Sequence, residues 1–403
     1  MVTSESELIA LYRGWQVLES ELGGVDIIDF DLTATTDRWL FNSRYEVLLA
    51  LESAARSLVV RDHSSQFSDD RLQASIYYLN ACLGEQIPFF EYVENTMGAR
   101  PEKFSEVLLL ESYDRCDALL QEIGLKFCPN YHAEYEAQCL IQDKTQVKTQ
   151  IQQQLEKWLH RLGRYIPLPE LKSVSVGFAE VDAYWSNWVS GSVCDGFNLR
   201  VNLHPRIKYL KGTPSLLAAH EYCGHLMQVQ QWAMNLADRS IAPSYGFTTV
   251  HSPEAFVMEG LADVLIYILA EETELNFDEQ LARQLTWHSR LVSNNVHYLI
   301  NTGHAFRDVF AYCRKYLPFA DDRTIESSIR DRSCNPLGRT YQYVYGIALD
   351  YFRRQLEGHP RRIARVLPQL YQQPYTKRQL DELCIDLPYI GSQRISSKNP
   401  SGS

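Results

Sequence analysis

The chain reads as a mainly α protein with a small β-sheet: a helical bundle at the N-terminus, followed by a helical core built around a metal-binding signature. Three observations carry this reading. Apolar residues recur at three- and four-residue spacing along most of the 403 residues, the period of amphipathic helices. That period gives way at 173–203, where alternating, β-branched runs appear. Directly afterwards, the segment 216–230, LLAAHEYCGHLMQVQ, sets two histidines and a glutamate inside an apolar, helix-forming run.

Taken in order, the first part predicts helices at 8–22, 36–58, 69–95, 102–123 and 133–162. Their separators are turn-like: Gly23-Gly24, an HSSQ stretch, Met97-Gly98 to Pro101, and Cys128-Pro129-Asn130. Pro167-Leu168-Pro169 marks a boundary, giving a helical region 1–166, a metal-binding region 167–389 and a polar tail 390–403 expected to be disordered. Two strands are expected, SVSVGFAEV at 173–181 and DGFNLRVNL at 195–203, with the aromatic stretch AYWSNWVSGS between them read as a loop. Helices follow at 214–236, 253–272, 277–299, 305–317, 322–331 and 341–356.

Composition narrows the function classes. A net charge of −11 with no basic block disfavours nucleic acid or an anionic membrane surface as partner. The opening MVTSESELIA lacks the basic and apolar regions of a signal peptide, and no apolar run is long enough to span a bilayer. The nine cysteines are odd in number, scattered and never in a C-x-x-C pair, which fits reduced thiols and a cytoplasmic location. Composition leaves the oligomeric state open.

The chemistry concentrates at His220, Glu221 and His225. A helical zinc signature normally sets its two histidines four apart with a glutamate after the first; here they are five apart. On an ideal helix they would stand roughly 140° apart, too far for one ion. A π-type turn absorbs the extra residue, and Gly224 offers backbone freedom for it. Cys223, inside the signature, reads as a small packing residue and not a ligand. A third ligand is available in HSPEAFVMEGLADVLIYILA at 251–270, where Ser252-Pro253 starts a helix and Glu259 and Asp263 share one face. The apolar residues Met258, Leu261, Leu265, Ile266 and Leu269 bury that helix, and buried carboxylates need a metal or charge partner.

The second half resembles a bacterial family of zinc peptidases with a His-Glu-x-x-Pro-Gly-His-x-x-Gln signature, a Glu-Gly-x-Ala helix, a segment with Arg and His near a Gly, and a late Tyr-x-x-Gly. The matching residues are His220-Glu221-Tyr222-Cys223-Gly224-His225 with Gln228, then Glu259-Gly260-Leu261-Ala262, then Arg290, His297 and Gly303, then Tyr343-Val344-Tyr345-Gly346. The signature lacks the proline and is one residue shorter, and in that form it is similar to dipeptidyl peptidase III. The resemblance implies a gluzincin-type, zincin-like core holding one Zn2+ per chain through His220, His225 and Glu259. By analogy with thermolysin-like enzymes, Asp263 would accept the other ring N–H of His220. Glu221 would be the general base on a zinc-bound water, with Tyr343 and His297 as oxyanion partners and Arg290 and Tyr345 as substrate contacts. The substrate would be a peptide or small amide. Two rival readings stay open: a biosynthetic enzyme using the scaffold on a small amino-acid-like compound, and a non-catalytic helical protein with a structural metal site.

Overall fold

Local capping chemistry sets several helix starts in the computed structural model, which describes residues 4–33, 35–168, 174–182, 186–192 and 196–385. Helix α1 (Glu5–Leu22) opens on a capping box between Ser4 and Glu7. Strand β1 (Ile28–Asp31) follows, and α2 (Arg44–Ser57) starts where Ser43 accepts from the Glu46 N–H. The stretch expected to be helical from 36 is instead non-helical up to that cap, and the Trp39 N–H bonds the Ala10 carbonyl at 2.9 Å.

Two other expected helices are each split. Residues 69–95 divide into α3 (His63–Cys82) and α4 (Phe89–Met97), because Gly84 takes a left-handed φ of 99° and Pro88 precedes the second helix. After α5 (Glu106–Glu122), the run 133–162 divides into α6 (His132–Cys139) and α7 (Lys144–Leu162). Ile141 leaves the helix to donate to the Tyr209 carbonyl, and Asp143 caps the restart.

The sheet differs from the expected strand pair. Strands β2 (Val174–Ala179), β3 (Asn187–Ser192) and β4 (Gly196–Asn202) lie in the order β2-β4-β3, with β2 parallel and β3 antiparallel to β4. Part of the aromatic stretch read as a loop is therefore the edge strand β3. Residues 173, 194 and 195, Pro169 of the expected boundary, and the tail from 390 lie outside the described residues.

The signature region runs as one continuous rod: α8 (Thr213–Leu217), a π-helical stretch (Ala218–Leu226) and α9 (Met227–Ala237). Strand β5 (Phe247–Thr249) pairs antiparallel with β1 and so ties the N-terminal region to the segment between α9 and the next helix. Then come α10 (Glu254–Ile268), α11 (Phe277–Asn301), α12 (Phe306–Tyr316), α13 (Asp322–Cys334), α14 (Tyr341–Leu356), α15 (Pro360–Gln372) and α16 (Lys377–Ile385). The sequence reading did not include β1, β5, α15 or α16.

Helix α10 is the hub. Every residue from Glu254 to Ile268 is buried, as expected of a helix apolar on all sides, and it packs against the π-helical stretch and α14. Each fully buried Leu or Ile on it contributes about 1.5–3 kcal/mol relative to exposure. The main apolar cluster joins Val93, Leu109 and Trp158 to Leu265, Leu349 and Leu370, so packing continues across position 166. No helix of the described residues is long and apolar enough to cross a membrane. The protein is mainly α with small β-sheets.

Candidate metal centre

The five-residue spacing is absorbed by the π-helical stretch, whose wider turn puts residues i and i+5 on one face. His220 and His225 accordingly face each other, with their Nε2 atoms 3.2 Å apart. Gly224 also makes room where the rod meets α10. Its φ is not left-handed, but a Cβ there would sit 2.6 Å from Ala262 Cβ and 2.7 Å from Ala262 Cα. Glycine lets the signature rod touch α10. Gly260 does the same on the other side of α10, where a Cβ would come within 2.5 Å of the Phe352 ring. In the Glu-Gly-x-Ala run, then, Glu259 faces the histidines, Gly260 admits α14, and Ala262 receives Gly224.

Helix α15 braces the rod from behind. The Tyr371 hydroxyl donates to the Cys223 carbonyl at 2.6 Å. In return, Gln228 and Trp232 donate to the Leu370 carbonyl, one of the last-turn carbonyls a helix cannot satisfy itself, at 2.9 and 3.2 Å. Cys223 is buried and its sulfur is not among the clustered donors, in keeping with a packing role.

Glu259 and Asp263, one helical turn apart on α10, complete the arrangement. Glu259 Oε2 lies 3.5 Å from His220 Nε2 and 3.7 Å from His225 Nε2. The three donor atoms fall within 4.8 Å of one another, and Glu259 Oε2 is buried without a hydrogen-bond partner. Behind them, Asp263 Oδ1 stands 2.8 Å from His220 Nδ1 and orients the ring.

Arg290 grips the same Asp263 carboxylate, Nε to Oδ2 at 3.0 Å and Nη2 to Oδ1 at 3.2 Å, and lies 4.2 Å over the Tyr345 ring. The expected substrate contact is thus a guanidinium already engaged with the protein. The Tyr345 hydroxyl donates to Tyr341 at 3.2 Å, and the Tyr341 hydroxyl makes a short hydrogen bond to Glu259 Oε1. A chain of contacts therefore runs from His220 through Asp263, Arg290, Tyr345 and Tyr341 back to Glu259.

The electrostatics follow from this packing. Burial opposes charge on each member, but Asp263 and Glu259 outweigh it and hold the His220 pKa well above its ordinary value; Glu259 raises that of His225. Conversely, the two histidines hold Glu259 well below the usual carboxylate range against its burial, and Arg290 with His220 lowers Asp263. Burial and Glu259 push the Tyr341 hydroxyl well above its ordinary value. The carboxylates stay anionic and call for positive charge between the imidazoles. Two Nε2 atoms and an unpartnered carboxylate oxygen suit a divalent cation.

The cluster opens into a cleft of about 490 Å³, also lined by Asp29 of β1, Asn187 and Trp188 of β3, Glu221, Asp331, Tyr341 and Tyr345. Glu221 stands beside the cluster, 3.8 Å from His220 Nε2, and the Asn187 amide donates to its Oε1 at 2.6 Å. Asp29 is an exposed residue at the wall of the cleft.

Tyr343 and His297 lie elsewhere. The Tyr343 hydroxyl donates to the Glu102 carbonyl at 2.6 Å, His297 Nε2 lies 3.0 Å from the Arg339 carbonyl, and their rings meet edge to face with no exposure to the cleft. Neither is placed to hold an oxyanion at the cluster. Tyr343 is two residues from both Tyr341 and Tyr345, about 200° around the helix, which is why only the outer two reach the cleft. His251 and His288 are likewise occupied, by Ser75 and the Tyr316 carbonyl. Sequence reasoning missed Asn187 and Asp29, which come from short strands without a local signature. It passed over Tyr341, although the four-residue spacing from Tyr345 shows that the two share a face.

No protein-family model and no curated protein matches the chain. Among solved structures, the crystal structure of "the putative lipoprotein from Colwellia psychrerythraea" superposes with a TM-score of 0.53 at 14% identity. The match covers 86% of this chain and 60% of that one, so this chain spans under two thirds of its neighbour's length. The likeness is one of fold.

Proposed function

We propose that the protein is a zinc-dependent, gluzincin-type hydrolase of peptide or amide bonds. The observation that carries this reading is the placement of Glu221: a carboxylate outside the three-donor cluster, beside it, held by Asn187 and facing an open cleft. A structural metal site has no use for such a group. His220, His225 and Glu259 would hold the ion, and two imidazoles with one carboxylate are a donor set suited to zinc. When bound, zinc would polarise the scissile carbonyl and lower the pKa of the attacking water to about 7.

The chain's own residues supply the rest. Asn187 fixes the Glu221 carboxylate, which takes the proton from the attacking water and returns it to the leaving nitrogen. Tyr345 can exchange its bond to Tyr341 for one to the carbonyl oxygen as negative charge builds there. Arg290 acts as a positioning residue, holding Asp263 against His220 and packing under Tyr345.

The test is to incubate zinc-loaded protein with mixed peptides and N-acyl amino acids and to follow newly released amines by mass spectrometry. Turnover is expected from the wild type and a loss of about 10²–10⁴-fold from Glu221→Gln, the usual contribution of a general base. Equal turnover by the two proteins would sink the proposal.

A further inference from the structure

A second cavity of about 350 Å³ adjoins the metal cleft, shares Asn187, His220 and Glu221 with it as lining residues, and is also lined by Leu217, Tyr209 and Tyr267. This middle cavity in turn shares Thr213, Leu216, Thr286 and Arg290 with a third, larger one of about 630 Å³. The three spaces thus form a series, with common walls at each junction and the polar, catalytic end at one extremity.

The character of the lining changes along the series. The metal cleft carries Asp29, Glu221, Glu259 and Asp331. The far chamber has no Asp, Glu or Lys in its lining, and its one guanidinium, Arg290, is already paired with Asp263 at the inner junction. Its walls are mainly apolar, with Phe127, Tyr135 and Phe319, Leu285 and Val296 from α11, and Ile325 from α13, and they also carry His132 and several Ser and Thr hydroxyls. The aromatic wall is itself packed: the Phe319 ring stacks on Tyr135 at 5.1 Å and meets Phe127 edge-on at 5.1 Å. A cavity of this size and lining is in the range that holds a ligand by apolar burial.

From this we infer that the protein acts on amides carrying a long, flexible apolar group, an N-acyl chain or comparable tail, with the amide at the metal cluster and the tail running past Arg290 into the far chamber. The inference rests on the hydrolase reading for the placement of the amide. It commits the chamber to the substrate's own tail. Serine positions set the bore: Ser289 and Ser293 on α11, one turn apart, and Ser328 on α13 all line the chamber and leave room that larger side chains would fill.

The experiment is calorimetric titration of acetohydroxamate, hexanohydroxamate and decanohydroxamate into zinc-loaded and chelator-treated protein. In the wild type, affinity is expected to rise with chain length, by about fourfold for each methylene that enters the chamber, the equivalent of about 0.8 kcal/mol per buried CH2. In Ser293→Trp and, independently, Ser328→Trp, the ratio of decanohydroxamate to acetohydroxamate affinity is expected to collapse towards one. A flat chain-length series in the wild type, which needs no variant to fold, overturns the inference, as does an undiminished ratio in both filled variants. Chain-length gain that persists equally without zinc overturns the metal reading while leaving the chamber's ligand class standing. Failure of even decanohydroxamate to bind overturns both.

Discussion

Asp263 shows how much of this centre lies one contact behind the donors. It holds His220 Nδ1 at 2.8 Å and is itself gripped by Arg290, so the ring presents Nε2 towards His225 and Glu259. In Asp263→Asn the shape persists and the charge is lost, and zinc affinity is expected to fall about 10- to 100-fold, measured by competition with a chromophoric chelator. Unchanged affinity would mean that His220 needs no partner. The three clustered residues His220, His225 and Glu259, and Glu221 beside them, were legible in the sequence because they announce their chemistry by type and spacing. The partners were legible only in part. Asp263 follows from its four-residue offset to Glu259, and Tyr341 could have followed from its offset to Tyr345. Asn187 could not, since nothing in its own neighbourhood says that a strand edge will deliver it to Glu221.

At the scale of elements, the centre depends on how closely the signature rod meets α10. Gly224→Ala places a methyl group 2.6 Å from Ala262 Cβ and 2.7 Å from its Cα, so the two segments must part. Overpacking of this kind costs about 1–3 kcal/mol, and here it also spreads the donors. Lower unfolding stability in urea together with weaker zinc binding is expected. Adding Ala262→Gly removes only one of the two clashing atoms, so rescue should be partial. Wild-type stability and zinc binding in Gly224→Ala would contradict the packing account. The π-helical stretch was readable from the five-residue spacing, because a regular helix cannot bring His220 and His225 together. The brace behind it was not read. Helix α15 carries a good apolar face in Ile363, Val366, Leu367, Leu370 and Tyr371, but Pro368 lies inside it and breaks the usual pattern. The strands β1 and β5 pair over more than two hundred positions of sequence, a distance at which no local pattern speaks.

Across the whole molecule, the N-terminal helices and the half that carries the His220–His225–Glu259 cluster are joined by buried polar contacts as well as by the shared core. Arg71 of α3 pairs with Glu254 at the start of α10, both out of solvent, and lies 4.5 Å over Phe67. Beside them His251 accepts or donates to Ser75 at 2.9 Å and stacks on Tyr78 at 4.4 Å. Burial, with Arg71 adding, pushes the His251 pKa down to about 3 from 6.5. The unfolded chain therefore takes up a proton near pH 6.5 that the folded chain refuses until about 3, so falling pH between those values favours unfolding, and above 6.5 the effect vanishes. His297 shifts in the same direction. Urea unfolding measured from pH 7 to pH 5 should show a pH slope of stability smaller by up to about 1.4 kcal/mol per pH unit in His251→Gln than in the wild type, whatever the other groups add to both. An identical slope in that variant would show that His251 is not the group refusing the proton. The central claim, that His220, His225 and Glu259 together hold one ion while Glu221 does not, is tested most directly by metal analysis of the purified proteins after dialysis. About one zinc per chain is expected in the wild type and in Glu221→Gln, and little in His220→Ala, His225→Ala or Glu259→Ala, each judged folded by circular dichroism. Full zinc in any two of those three variants, or its loss in Glu221→Gln, would contradict the account.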